Sequence, residues 1–342
     1  MRGSALGQKI GQRLLSAVPS VIGVVLITFL LTRALPGDPA AFFAGPAATT
    51  EAIDQVRASL GLDRSLPEQF VLYIGDLLQG DLGNSLSTGQ TVLYDLTTRL
   101  PASLELTFAA LVFALALAIP LGILAATLPN SWVDHGVRIL ATAGVSLPTF
   151  FTGLFLVYIL YYRLGWVPAP LGRLSLLHSP PQQITGFYLV DSLLQGDWPL
   201  FQAAVAQLFL PALTLGLFAL APLARVTRAS MLGILSSDFI RTARASGLPG
   251  IRILFNYAFR NALLPVVTTL GVVFSFLLGA NILVEKVFAW PGIGSYAVEA
   301  LVTSDYAPIQ GFILTMALLY IFLNLGIDIL YLFIDPRSRL GS

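Results

Sequence analysis

Six stretches of the chain, 14–32, 106–133, 139–162, 198–224, 261–284 and 306–327, run for nineteen residues or more without an Asp, Glu, Lys or Arg. An α-helix rises about 1.5 Å per residue, so a hydrocarbon core about 30 Å thick is crossed by roughly 20 apolar residues. Runs of that length belong in a bilayer or in a very large soluble core. Composition excludes the core: 56% of the 342 residues are hydrophobic and only 11% are charged, where a soluble domain carries about 25%. The same shortage excludes disorder, a basic nucleic-acid-binding face and a soluble enzyme of ordinary surface. The fold class expected is an all-α polytopic membrane protein with six transmembrane helices.

A seventh uncharged stretch, 174–190, holds His178, Pro180, Pro181, Gln182 and Gln183. Proline and polar groups there would strand backbone partners in lipid, so it reads as part of an extramembrane loop. Six crossings put both termini on one side, and cytoplasmic loops are the ones enriched in Lys and Arg. With the termini, 129–138 and 225–260 inside, that side holds 12 basic and 3 acidic residues against 7 basic and 14 acidic outside, counting Arg33 and Glu105 at span ends with the outside and leaving Asp328 in the last span. The expected topology is N-in, C-in. Its spans are 14–33, 102–128, 139–162, 198–224, 261–284 and 306–333; its external segments are 34–101, 163–197 and 285–305; residues 1–13, 129–138, 225–260 and 334–342 are cytoplasmic. The apolar run after Arg2, Lys9 and Arg13 exceeds the roughly 7–15 residues of a signal-peptide core and no A-x-A site follows it, so it is expected to remain as an anchor.

Catalytic chemistry is poorly supplied. There is no cysteine, which removes disulfides, thiolate metal sites and thiol nucleophiles. His135 and His178 do not form an HExxH or similar ligand spacing, so no metal site is expected. The two lysines, Lys9 and Lys286, follow Gln8 and Glu285, so no GxxxxGK[ST] phosphate loop exists and nucleotide hydrolysis must come from another chain. An intramembrane enzyme lacks its GxSG, GxGD or paired mid-span acids. Glu105, expected at a helix start, and Asp328 lie near span ends, too shallow for a proton relay. A secondary transporter driven by an ion gradient is the alternative of a different class. It would be expected to show inverted repeats, and the two three-span halves do not match in that way.

The external segment 34–101 carries its own helix signals and is expected to form a small helical cap. Ser65-Leu66-Pro67-Glu68 reads as a capping box opening a helix with Phe70, Tyr73, Ile74, Leu77 and Leu78 on one face and Gly80 as its stop; an earlier helix groups Ile53, Val56 and Leu60 and ends at Gly61. The cytoplasmic loop 225–260 sets six arginines against one acid, Asp238. Within it Ser237 is expected to cap a short helix that Gly247 and Pro249 end, with Phe239, Ala243 and Ser246 on one face and Ala243 and Ala245 small enough for a partner to approach. The rival reading of that helix is an amphipathic segment lying among lipid headgroups. Polar residues within spans, Ser146, Thr149, Ser275, Asn281 and Asn324, are candidates for a solute pathway, with interhelical hydrogen bonding as the alternative use of each. Pro120, Pro148, Pro211 and Pro222 lie in or at the ends of spans and could supply kinks.

Residues Ala243-Arg244-Ala245-Ser246-Gly247, continuing to Arg260-Asn261-Ala262-Leu263-Leu264-Pro265, resemble the EAA loop of binding-protein-dependent ABC importer permeases. Arg241-Thr242 stands where the general motif has Glu-Ala, and the stretch from Arg241 to Leu248 is most similar to the dipeptide, oligopeptide and nickel permease family. Three further segments agree in order along the chain: Leu31 to Pro39 with its Pro36-Gly37-Asp38-Pro39, Gly80 to Ser85 followed by Arg99 to Leu106, and Glu285 to Gly294 with Asp305 to Gly311. The long 163–196 loop is most like dipeptide-type members.

The resemblance implies one of two homologous permease subunits in a bacterial inner membrane. Its partners would be two ATP-binding subunits that hydrolyse ATP with Mg, an external solute-binding protein and membrane lipid, with a peptide as substrate and no nucleic acid; nickel chelates, glutathione or haem are the alternative cargoes. No cofactor would be bound by this chain. Asp238, Arg241, Thr242, Ala243, Arg244, Ala245, Ser246 and Gly247 would form the coupling helix seated on an ATPase subunit. Glu285, Trp290, Pro291 and Asp305 would belong to an external turn that closes over the pathway and meets the binding protein, against the plainer reading of Trp290 and Tyr296 as interfacial aromatics.

Overall fold

The computed structural model describes the backbone of residues 2–34, 38–45 and 47–334. Leu35, Pro36 and Gly37 of the PGDP segment and the tail from Asp335 lie outside the described residues. In chain order the helices are α1 (Arg2–Ala34), α2 (Pro39–Ala44), α3 (Thr50–Ser59), α4 (Leu66–Leu78), α5 (Val92–Thr127), α6 (Trp132–Ser146), α7 (Thr149–Leu156), α8 (Tyr188–Leu194), α9 (Trp198–Leu235), α10 (Asp238–Ala245), α11 (Gly250–Arg252), α12 (Arg260–Val287), α13 (Ile293–Val302) and α14 (Tyr306–Ile334). Two π-helical stretches, Val157–Arg163 and Ile253–Phe259, extend α7 and join α11 to α12. Among the described residues there is no strand; Asn84 and Thr91 form an isolated bridge.

Among the described residues, four helical runs are long and apolar enough to cross a membrane: Val92–Thr127, Trp198–Leu235, Gly250–Val287 and Tyr306–Ile327. A fifth apolar run is bent by 105° between Trp132–Gly144 and Thr149–Arg163. The break falls at Leu147-Pro148, where Leu147 turns extended as the residue before a proline must. Within α1 the apolar stretch is Val18–Leu31.

The chain divides into two compact units, residues 1–101 with 291–322 and residues 102–290 with 323–342. In the first, helices α3 and α4 follow their local signals. Ser65 and Glu68 close the expected capping box on α4, Thr49 accepts a hydrogen bond from Ala52 N at 3.3 Å to cap α3, and Gly61 and Gly80 take the left-handed turn that stops each helix. Phe29 of α1 packs edge-on against Phe70 and stacks on Tyr73 at centroid distances of 5.1 and 5.9 Å. Leu78 points to solvent instead, off the expected apolar face. Val92, Leu96, Ile293 and Tyr296 form this unit's core.

In the second unit α5, α9 and α12 pack around a core that includes Leu106, Leu215, Leu220 and Leu277. Backbones come close where side chains are small: a Cβ on Gly122 of α5 would lie 2.6 Å from Thr227 Cβ of α9. The ends of α6 and α9 are joined by a fork in which Arg228 donates to both oxygens of fully buried Asp134, at 2.5 and 2.7 Å. One expectation fails here. The helix holding Glu105 begins at Val92, so Glu105 lies more than three turns inside α5 instead of at its start.

Candidate functional site

α10 is the most distinctive element of the arginine-rich loop. Gly247, at φ +73°, ends it as a left-handed glycine cap, and Pro249 opens α11. Ser237 occupies the N-cap position, but its hydroxyl donates back to the Ile234 carbonyl at 2.6 Å instead of capping α10. The packing also corrects the expected partner face. Ala243 and Ile240 are buried in a cluster with Met231, Ile253 and Ala258, which fastens α10 to α9 and to the π stretch. The outward face is Asp238, Phe239, Arg241, Thr242, Arg244, Ala245 and Ser246; Asp238 and Arg241 pair across one turn of it. The eight-residue helix is thus anchored on one side and exposed on the other.

Three of the five pathway candidates meet. Ser146, Thr149 and Ser275 line one open hollow of about 570 Å³ whose other walls are apolar, Pro148, Phe150, Phe218 and Phe276 among them. The other two lie elsewhere. Asn281 is buried and donates from Nδ2 to the Ser103 carbonyl at 3.1 Å and to Thr107 Oγ1 at 3.2 Å, a cross-link between α12 and α5. Asn324 is exposed on α14, outside the lining of that hollow.

The external-turn candidates are mostly internal struts. Glu285 accepts from Ser103 Oγ at 2.5 Å, and Trp290 Nε1 donates to the Ala102 carbonyl at 2.8 Å, both buried. In the other unit, fully buried Asp305 accepts from Ser85 Oγ at 2.9 Å, Leu86 N at 2.7 Å and Ser87 N at 3.1 Å, which fastens the loop before α5. Pro291 alone of the four is exposed. Tyr296, expected near a membrane surface, is buried too.

Two further residues organise segment 163–197 without any local sequence signal. Arg173 is buried, donates to Glu105 at 2.6 Å and to the Gly186 carbonyl at 2.8 Å, and lies 3.4 Å from the centre of the Tyr188 ring. Asp191 is buried and accepts from Thr185 Oγ1 and from the backbone N–H groups of Ile184, Thr185 and Gly186. Burial acts to raise that carboxyl; the hydrogen bonds from Thr185, Ile184 and Gly186 outweigh it and hold Asp191 below the usual carboxylate range.

Residues 118–340 match the family described as the binding-protein-dependent transport system inner membrane component, and residues 8–107 match the N-terminal segment described for the same kind of membrane component. The chain belongs to this family. It is a permease of the bacterial inner membrane, crossing it several times. Among the permease's relatives, the "Probable D,D-dipeptide transport system permease protein DdpB" of Escherichia coli strain K12 is 46% identical over 97% of each chain. The di/tripeptide transport system permease protein DppB of Pseudomonas aeruginosa is 42% identical over 96% of this chain and 98% of its own. The glutathione transport system permease protein GsiC of Shigella flexneri is 38% identical over 96% and 97%. The permease fold also matches an inward-facing MetNI methionine ABC transporter, with a TM-score of 0.53 and 16% identity over 71% of this chain and 97% of that one.

Proposed function

We propose that this permease is one of two homologous membrane subunits of an ATP-driven importer that takes di- and oligopeptides from an external solute-binding protein. The observation that carries the reading is the exposed polar face of α10, held on a packed base between two spans, in a chain whose near-full-length relatives are named for dipeptide and di/tripeptide transport. A relative named for glutathione, itself a tripeptide, keeps that cargo as the second reading. In this scheme the permease makes six crossings with both termini in the cytoplasm. Beside the four long runs, the α6–α7 pair would supply one crossing and α1, whose apolar stretch is flanked by Arg13 and Arg33, the other.

Alternating access requires two packings of similar free energy, one favoured by closed nucleotide-bound ATPases and the other by their release. Asp238, Arg241, Thr242, Arg244, Ala245 and Ser246 would contact an ATPase subunit, while Ala243 and Gly247 keep α10 seated and correctly ended. Ser146, Thr149 and Ser275 would line the path in one state. Glu285, Trp290 and Asp305 would hold the external turn, leaving Pro291 to meet the binding protein. ATP and Mg would be used by the partners.

Reconstitution decides the matter. Vesicles holding both permeases and both ATPases, with binding protein and dipeptide outside and ATP inside, are expected to accumulate dipeptide. Uptake driven by an imposed proton or sodium gradient without ATPases would overturn the importer reading.

A further inference from the structure

Helix α6 has three faces. Asp134, Val137 and Ala141 are buried, and a Cβ on Gly144 would lie 2.8 Å from the Leu217 carbonyl of α9, so this face packs. A second face carries Trp132, Val133 and Leu140, all exposed and apolar. The third carries His135, Arg138, Thr142 and Ser146, all exposed and all polar. Spacings of three, four and four residues stack these four along one side of a helix. An exposed surface divided in this way has two solvents: the apolar face suits lipid, and polar side chains on the other face suit water.

The polar face leads into the hollow described above. His135, Arg138, Thr142 and Ser146, with Ile139 and Ala143 along one edge, line a shallow groove of about 520 Å³. Ser146 also lines the 570 Å³ hollow with Thr149 and Ser275, so the two spaces meet at one residue. At that junction the helix is broken at Leu147-Pro148, and non-helical backbone at membrane depth persists only against protein or water. The hydroxyl protons are already committed: Thr142 Oγ1 donates to the Arg138 carbonyl at 2.9 Å, Ser146 Oγ to the Thr142 carbonyl at 2.7 Å and Ser275 Oγ to the Gly271 carbonyl at 3.0 Å. What these oxygens offer outward is acceptor capacity. Positive charge lies farther along. Arg138 is half-exposed, and its nearest acid, Asp134 at 3.9 Å, is already forked by Arg228. His135 donates from Nδ1 to the Ser131 carbonyl at 2.8 Å, so its Nε2 adds a further acceptor to the stripe.

We propose that this stripe is the cytoplasmic half of the solute path, a water-lined face on which hydroxyl oxygens take peptide N–H groups and Arg138 receives the peptide carboxylate. The proposal rests on the importer reading and assigns its exit route and the chemical group recognised there.

The absence of cysteine makes the test direct. Single Thr142→Cys, Ser146→Cys and Leu140→Cys variants are assembled into the full complex in vesicles, and membrane-impermeant thiosulfonates are added to either face. Positions 142 and 146 are expected to react and position 140 to stay protected. The anionic reagent should outpace the cationic one at position 142, by about threefold for each sign of charge at some 6 Å in water, and Arg138→Gln should erase the preference while Arg138→Lys keeps it. Equal labelling at 140 and 142, or a reagent preference indifferent to Arg138→Gln, overturns the stripe as the path. ATP-driven dialanine uptake by the unsubstituted complex separates the two ideas: uptake with a lipid-like position 142 removes the stripe and leaves the importer, while failed uptake removes the importer.

Discussion

Glu105 and Arg173 stand 68 residues apart and meet as a buried ion pair, with Leu189 N donating to the second Glu105 oxygen at 2.8 Å. Such a pair contributes little over an apolar pair of the same volume, yet breaking it strands a charge. Glu105→Ala is therefore expected to destabilise the unit by about 3–5 kcal/mol, and a Glu105→Leu, Arg173→Met double variant to recover most of that; thermal unfolding in detergent reads both. Asp191 gives a pH-dependent counterpart. Because its folded carboxyl lies below the ordinary value, its contribution is complete above the unfolded pKa of about 3.9 and is lost as pH falls through the folded value. Proteolytic nicking within 184–197 should rise below about pH 4 in the native protein, and Asp191→Asn should nick readily at neutral pH. A loop equally resistant at pH 3 and pH 7 would count against this account.

Elements with local signals were legible before the fold was known. The capping box at Ser65, the stops at Gly61 and Gly80, and the short helix between Ser237 and Gly247 rest on contacts within a turn or two, which is why sequence spacing reveals them. Which face of α10 looks outward was not legible. Ala243 is turned inward by Met231, Ile253 and Ala258, residues that reach it only through the fold. The two alanines of α10 therefore make opposite predictions. Ala245→Trp leaves the complex assembled and stable but separates ATP hydrolysis from uptake, whereas Ala243→Trp lowers stability by about 1–3 kcal/mol through overpacking. Parallel assays of ATPase rate, uptake and thermal midpoint distinguish them; identical behaviour of the two variants would contradict the assigned faces.

For the whole molecule, the topology is the prediction with the widest reach. Tags at both termini should be protected in right-side-out vesicles, and a site inserted between α3 and α4 should be cleaved from outside; a terminus cleaved from outside would remove the six-span arrangement. The sequence by itself determined that this chain lives in a membrane and that its charges are gathered between long apolar runs, because run length and charge position are properties of the linear polymer. Only the tertiary structure decided which polar groups are free to act. Ser275 lines a hollow while Asn281, six residues on, is buried against α5, and Glu285, Trp290 and Asp305 turned out to be struts. Spans that are apolar nearly all round carry a weak helical periodicity, so their sequence does not mark which side meets protein, lipid or water; packing between distant segments makes that choice.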